Sequence, residues 1–354
     1  MSDHASRRDR LRRLVAEETE ADVLLVTHLP NIRYLTGFSG SNAVLAVGVE
    51  GEDVFGTDGR YLAQVAEQAP DLEPLIDRDT LDVVAASLAG RRVAIEGTLS
   101  VAGARLVEAA LAPVEILEGL VERLRAVKDD VELGALARAC DVTSHAFEQL
   151  AAEIRVGDRE VDLARRLEQI FAHLGGDDRS FETIVGSGPH SAIPHHEPGA
   201  RRLGPGDLVV VDAGALVDGY HADMTRTFCV GEPAEWQVEL HDLVARARDA
   251  AATRYVDGAD RRAVDAVARD LIVDAGHGDH FGHGLGHGVG LEIHEAPFVG
   301  PRATGTICDG MAITVEPGVY LPGRGGVRIE DTLVVTTAGP RTLTAAGREL
   351  RVVG

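Results

Sequence analysis

A chain of 354 residues, 45% of them hydrophobic, is long enough to bury a substantial core, and its length fits about two domains. Its 57 acidic residues against 35 basic ones give a formal charge of -22, which repels a phosphate backbone and argues against nucleic acid as the main partner. No run reaches the ~18 apolar residues of a membrane span. MSDHASRRDRLRRLV at the start lacks a signal-peptide pattern, and Cys140, Cys229 and Cys308 are too scattered for a disulfide framework or zinc knuckle. A soluble, cytoplasmic protein with free thiols and no membrane partner is expected.

In chain order, a helical pattern (Leu11, Leu14 and Val15 after Ser6) is followed by short apolar runs at 23–26, 43–47 and 93–95. This alternation predicts an α/β domain of about 120 residues. The charged stretch ERLRAVKDDVE from Glu122 marks a boundary, giving domains 1–122 and 123–354. Helices are predicted at 130–154 and at 158–174, the latter stopping at Gly175 and Gly176. Strands follow at 208–211, 225–230, 312–315 and 332–335, with helices at 234–255 and 261–275 between them. The second domain is thus expected to be α+β with an antiparallel sheet core.

A few acids sit inside those apolar runs, where an unpaired charge is costly. LVVVDAGALVDGYHADMTRTF, from Leu208, has the form of a hairpin turning near Asp218 and Gly219. A turn centred between Val217 and Asp218 sets Asp212 opposite Asp223, and a register shifted by two leaves them diagonal on the same face. ITVEPGVYLPGRGGVRIEDTLVV, from Ile313, centres on Gly323 and opposes Glu316 to Glu330. Like charges so placed repel unless a cation lies between them. Four such carboxylates suit Mn, Co, Fe or Zn, and hard oxygen donors favour the less soft of these.

Ten of the fourteen histidines fall between His190 and His294. FGHGLGHGVGLEIHEAP carries His283, His287 and His294 among glycines, and GSGPHSAIPHHEP carries His190, His195 and His196. A solvated glycine-histidine loop competes with a nitrogen-donor reading for the first string. A surface loop with incidental histidines competes equally for the second.

Taken together, VVVDAGA, DMTRTF, HGLGHGVGLEIHE, TVEPGVY and GVRIEDT resemble the motifs of the pita-bread metallopeptidases, the family of methionyl aminopeptidase, aminopeptidase P and prolidase. LPNIRYLTGFSGSN and TDGRY resemble the creatinase-like N-terminal domain of the aminopeptidase P and prolidase group, which methionyl aminopeptidases lack. The resemblance implies two divalent metal ions, Mn first, with Co, Zn or Fe as alternatives. Asp212 and Asp223 would ligate one, Asp223 and Glu330 would bridge, and His287 and Glu316 would complete the other. It further implies catalytic roles for His195, His294 and Glu316, a pocket wall at His283, and support of the metal carboxylates by Arg328.

The expected activity is hydrolysis of the Xaa-Pro bond at the N-terminus of peptides by a metal-bridging hydroxide, in a homodimer. A prolidase restricted to Xaa-Pro dipeptides is the runner-up. A hydrolase of another small, ectoine-like amide and a catalytically silent protein-binding relative are further alternatives. Two departures stand out: His190 where the family pattern has asparagine, and Cys308-Asp309-Gly310 where a proline often precedes the glycine. Neither touches the proposed ligand set.

Overall fold

The computed structural model describes residues 4–111 and 113–354, which divide into two compact units, one ending at Arg125 and the other running from Ala126 to Gly354. In chain order the first comprises α1 (His4–Glu18), β1 (Val23–Val26), α2 (Leu29–Thr36), β2 (Ala43–Gly48), β3 (Val54–Thr57), α3 (Leu62–Gln68), β4 (Pro74–Ile76), α4 (Thr80–Ser87), β5 (Val93–Glu96), α5 (Val101–Leu111), β6 (Val114–Leu117) and α6 (Leu120–Ala126). The boundary expected after residue 122 falls inside α6.

The six strands form one sheet in the order β4-β3-β2-β1-β5-β6, with β2 antiparallel to both neighbours and the other pairs parallel. Val23, Leu25, Val44 and Ala46 pack with Val84, Ala85, Val107 and Leu111 of α4 and α5 on one face. Helices α1 and α2 lie against β2, burying Leu11, Val15, Ile32 and Leu35. A sheet covered on both faces explains why its strands read as continuous apolar runs rather than alternating ones. The string LPNIRYLT folds as α2, closed by Gly37, and its buried Asn31 donates to Glu96 (2.6 Å) and Glu122 (2.7 Å). In TDGRY, Asp58 caps the turn that follows it and accepts from Asn42 at 2.7 Å. Both strings therefore do structural work within this unit.

The second unit comprises α7 (Asp130–Glu153), α8 (Glu160–His173), β7 (Asp178–Arg179), β8 (Ile184–Ser187), β9 (Leu208–Ala213), β10 (Ala215–Val217), β11 (Tyr220–His221), β12 (Met224–Val230), α9 (Glu235–Ala252), α10 (Arg261–Asp274), β13 (Gly286–Gly288), β14 (Glu295–Val299), β15 (Ala312–Val315), β16 (Gly318–Leu321), β17 (Gly325–Arg328), β18 (Asp331–Val334), β19 (Arg341–Thr342) and β20 (Arg351–Val353). Helix α7 starts where a capping box at Asp129 and Glu132 satisfies its first backbone N–H groups. Among the described residues every strand pair here is antiparallel except β12 with β20.

Two helix pairs each cover their own strands. Leu150, Leu163, Leu167 and Phe171 of α7 and α8 pack on Val185, Val209, Val211 and Phe228 of β8, β9 and β12. Leu240, Val244, Val264 and Ala268 of α9 and α10 pack on Ile313, Val315, Val319 and Val327. The two halves are stitched where β12 runs beside residues 328–330. The Glu330 N–H donates to the Thr225 carbonyl (3.1 Å), Arg226 donates to the Glu330 carbonyl (2.6 Å), and the Thr227 hydroxyl donates to the Arg328 carbonyl (2.9 Å).

The first acid hairpin turns one residue later than a centre between Val217 and Asp218. Val217 pairs with Tyr220, and Asp218 (φ 52°) and Gly219 (φ 77°) form the two-residue tip in the left-handed conformation such turns require. Asp212 therefore faces Thr225, and Asp223 is its diagonal neighbour, the second of the two expected registers. In the other hairpin, Gly318–Arg328 through Leu321–Gly325 and Ala312–Val334 through Val315–Asp331 are all symmetric about Gly323, as expected.

Close approach of backbones decides the first hairpin. A Cβ on Gly214 would lie 1.7 Å from the Ala222 carbonyl oxygen. Gly214→Ala is expected to destabilise the protein by ~1–3 kcal/mol or more through overpacking, read as a lower urea midpoint. An unchanged midpoint would mean that the hairpin parts there without cost.

Candidate metal centre

The centre is built where strands end. Asp212 lies near the end of β9, Asp223 just before β12, His287 on β13, Glu316 between β15 and β16, and Glu330 between β17 and β18. The register with β14 breaks between His287 and Gly288, as at bulges beside functional sites. Ligand atoms of Asp223, His287 and Glu330 lie within 4.8 Å of one another. His287 Nε2 is 3.5 Å from Asp223 Oδ2 and 3.3 Å from Glu316 Oε1. Asp212 joins through Arg328, whose Nη2 donates to Oδ2 at 2.5 Å.

Hydroxyls and the guanidinium orient these carboxylates. Thr225 Oγ1 donates to Glu330 Oε2 at 2.7 Å, Thr314 Oγ1 to Glu316 Oε1 at 3.3 Å, and Arg328 Nε to Thr225 Oγ1 at 3.0 Å. Asp212 Oδ1 and Glu330 Oε1 are buried and have no hydrogen-bond partner. Buried orphan oxygens are costly in an apo centre and are what a cation would engage.

Burial, then the charges of Glu330, Asp212 and Glu316, pushes the Asp223 carboxyl well above the ordinary carboxylate range. Burial, then Glu316 and Asp212, does the same for Glu330, and burial raises Glu316 to about 8. The imidazole moves the other way, since burial lowers His287 to about 4 and keeps it neutral. Its Nδ1 lies 3.0 Å from the Gly288 carbonyl, which fixes the N–H there and leaves the Nε2 lone pair facing the acids. Three raised carboxyls, two orphan oxygens and an oriented nitrogen lone pair fit divalent cations.

The remaining expected residues separate by exposure. His195 and His294 are exposed and line a cleft of about 1090 Å³ whose other walls include Phe181, Ile293 and Phe298. The His294 ring stands edge-on to His287, centroids 4.3 Å apart. His283 also lines this cleft, but both its nitrogens are engaged. Nδ1 is 2.8 Å from the Gly284 carbonyl and Nε2 is 3.0 Å from the Tyr320 hydroxyl, which itself accepts from Arg328 Nη1 at 2.8 Å. Burial lowers His283 to about 4, so it accepts the tyrosine proton in the neutral form.

Tyr320, Thr225 and Thr314 escaped the sequence reading. Tyr320 shares the alternating face of Glu316 and Gly318 in TVEPGVY, so period-two spacing from the acid could have found it. A threonine inside an apolar strand carries no such mark.

Residues 134–337 match the metallopeptidase family M24, and residues 7–127 match the creatinase/prolidase N-terminal domain. The chain belongs to metallopeptidase family M24, with a creatinase-like α/β N-terminal domain and an α+β pita-bread C-terminal domain, as the resemblance implied. It is a peptidase of the group that holds the Xaa-Pro dipeptidases and aminopeptidases.

The Xaa-Pro dipeptidase of Pyrococcus furiosus is 34% identical, the alignment covering 97% of this chain and 99% of that one. Among solved structures, the Xaa-Pro dipeptidase from Bacillus anthracis superposes with a TM-score of 0.94 at 35% identity, covering 99% of this chain and 100% of the other. An X-Pro aminopeptidase from Thermotoga maritima superposes with a TM-score of 0.89 at 32% identity, covering 98% and 99%. No described helix is long and apolar enough to cross a membrane.

The raised carboxyls set a sign. Below about 8 the metal-free centre holds protons that a cation must displace. Adding Mn to chelator-stripped protein below that pH should release protons, with apparent affinity rising as pH approaches about 8. Calorimetry in buffers of different ionisation enthalpy measures this, and buffer-independent heats would rule the protonated centre out.

Proposed function

We propose that this chain hydrolyses the Xaa-Pro bond of short peptides with two divalent ions, Mn first, held by Asp212, Asp223, His287, Glu316 and Glu330. The observation that carries this reading is the convergence of Asp223, Glu316 and Glu330 on one neutral imidazole, with Asp212 joined through Arg328 and two buried oxygens unpartnered. Bound there, the ions would supply a water-derived nucleophile at neutral pH and offset the negative charge of the transition state.

The side chains account for the rest. Glu316, whose Oε1 lies 3.3 Å from His287 Nε2 at the cleft, is placed to take a proton from the attacking water and return it to the leaving nitrogen. A proline nitrogen is tertiary in the peptide and leaves only once protonated, so this transfer is required. His195 and His294, exposed on the cleft, are placed to donate to the substrate carbonyl as it gains charge. Arg328, fixed by Tyr320, holds Asp212 in position. Phe181, Ile293 and Phe298 give the cleft apolar walls suited to a proline ring.

Among peptide lengths, the dipeptidase names of the Pyrococcus and Bacillus anthracis relatives move our preference from the longer peptides expected above to Xaa-Pro dipeptides. The cleft supports the longer-peptide reading, because about 1090 Å³ is at the upper end of small-molecule pockets.

With Mn restored after chelation, Ala-Pro should be cleaved with a kcat/KM at least about tenfold above that of Ala-Pro-Ala. The reverse order would select the aminopeptidase reading, and no cleavage of either would end both. Glu316→Gln is expected to lower kcat by at least about 10²-fold at saturating Mn. Wild-type turnover in that variant would remove Glu316 from proton transfer.

A further inference from the structure

A second cluster of ligand-type side chains, Glu160, His190 and His196, shares no residue with the carboxylate centre, although His196 lines the same cleft. Glu160, the first residue of α8, is fully buried, and the loop after β8 folds over it. Its Oε1 accepts from the Ser187 N–H (2.8 Å) and hydroxyl (2.7 Å) and lies 3.0 Å from His190 Nδ1. Its Oε2 lies 3.0 Å from His196 Nε2, 3.2 Å from His190 Nδ1 and 3.3 Å from the Gly199 N–H. The two imidazoles stand with ring centroids 4.3 Å apart.

Five donors thus converge on a carboxylate that offers about four lone-pair sites. The conflict disappears if the imidazole nitrogens present lone pairs rather than protons, with a cation between them and Oε2. Tetrahedral zinc with ligands at about 2.0–2.2 Å would set them roughly 3.3–3.5 Å apart, a short adjustment from the 3.0 and 3.2 Å seen here. Ser187 would still satisfy Oε1. His190 is about one-third exposed, leaving a route in from solvent and room for a water as fourth ligand.

We propose that Glu160, His190 and His196 form a third divalent-cation site, distinct from the carboxylate centre and selective for zinc. The selectivity follows from the donors. Two imidazoles and one carboxylate make a softer set than four carboxylates and one imidazole. His190, one of the three, is the position at which the resemblance implied asparagine. Occupation would pin His196, and with it the backbone of the adjoining His195 at the cleft. The assignment does not depend on the peptide that the enzyme cleaves.

The test uses the full chain saturated with Mn, titrated with zinc chloride, desalted and assayed by mass spectrometry for zinc and Mn per chain. Wild type should retain one zinc more than His190→Asn and than His196→Gln at the same free zinc, and Glu330→Gln, altered in the carboxylate centre, should keep that extra zinc. Equal zinc in wild type and His190→Asn overturns the proposal, as does loss of the extra zinc in Glu330→Gln. Because His190 is partly exposed and asparagine is a smaller polar residue, that variant decides the question even if His196→Gln does not fold.

Discussion

Burying several carboxylates side by side is unfavourable, and the catalytic unit is organised around that constraint. Asp212, Asp223, Glu316 and Glu330 come from different strand ends, so no local rearrangement lets one of them escape to solvent. Hydrogen bonds from Thr225 and Thr314 and the Arg328 guanidinium orient them without neutralising the set. The two helix-covered halves, each with its own core, make the scaffold stiff enough to hold like charges together. Cations bound there would satisfy an electrostatic demand that the fold itself creates.

The neighbouring acids Glu330 and Asp331 show how direction along a strand decides chemistry. Successive side chains point to opposite faces. Glu330 meets the other carboxylates and is raised, burial being the main cause. Burial works against ionisation of Asp331 too, yet Arg226, Arg248 and Arg348 surround it at 2.7 Å and hold it below the ordinary range. Arg226 also donates to the Glu330 carbonyl, so the ionised acid on one face anchors the backbone that presents the raised acid on the other.

Much of the catalytic unit was legible because it is made of hairpins. Mirror symmetry about Gly323 could be read from Glu316 and Glu330, and two β-rich arms flanking a Pro/Gly-rich tip made the register unambiguous. The first hairpin was legible only to within two residues, because whether the turn centred before or after Asp218 depended on the left-handed conformation of that residue. The N-terminal motifs were visible as strings, but Asn31 ties to Glu96 and Glu122 across long sequence separations that no local pattern shows. Likewise, a pocket position for His283 could be expected from its string, but its ties to Tyr320 and the Gly284 carbonyl could not.

The shared mirror at Gly323 has an evolutionary consequence. Surface loop tips ordinarily accept insertions and deletions at little cost. Here the tip sets the phase of two successive ladders, and Glu316 and Glu330 occupy the gap between them. A single inserted residue would turn Glu330 and every later side chain of β18 to the opposite face. The exposed Pro/Gly-rich tip should therefore keep its length among active relatives while its residues vary.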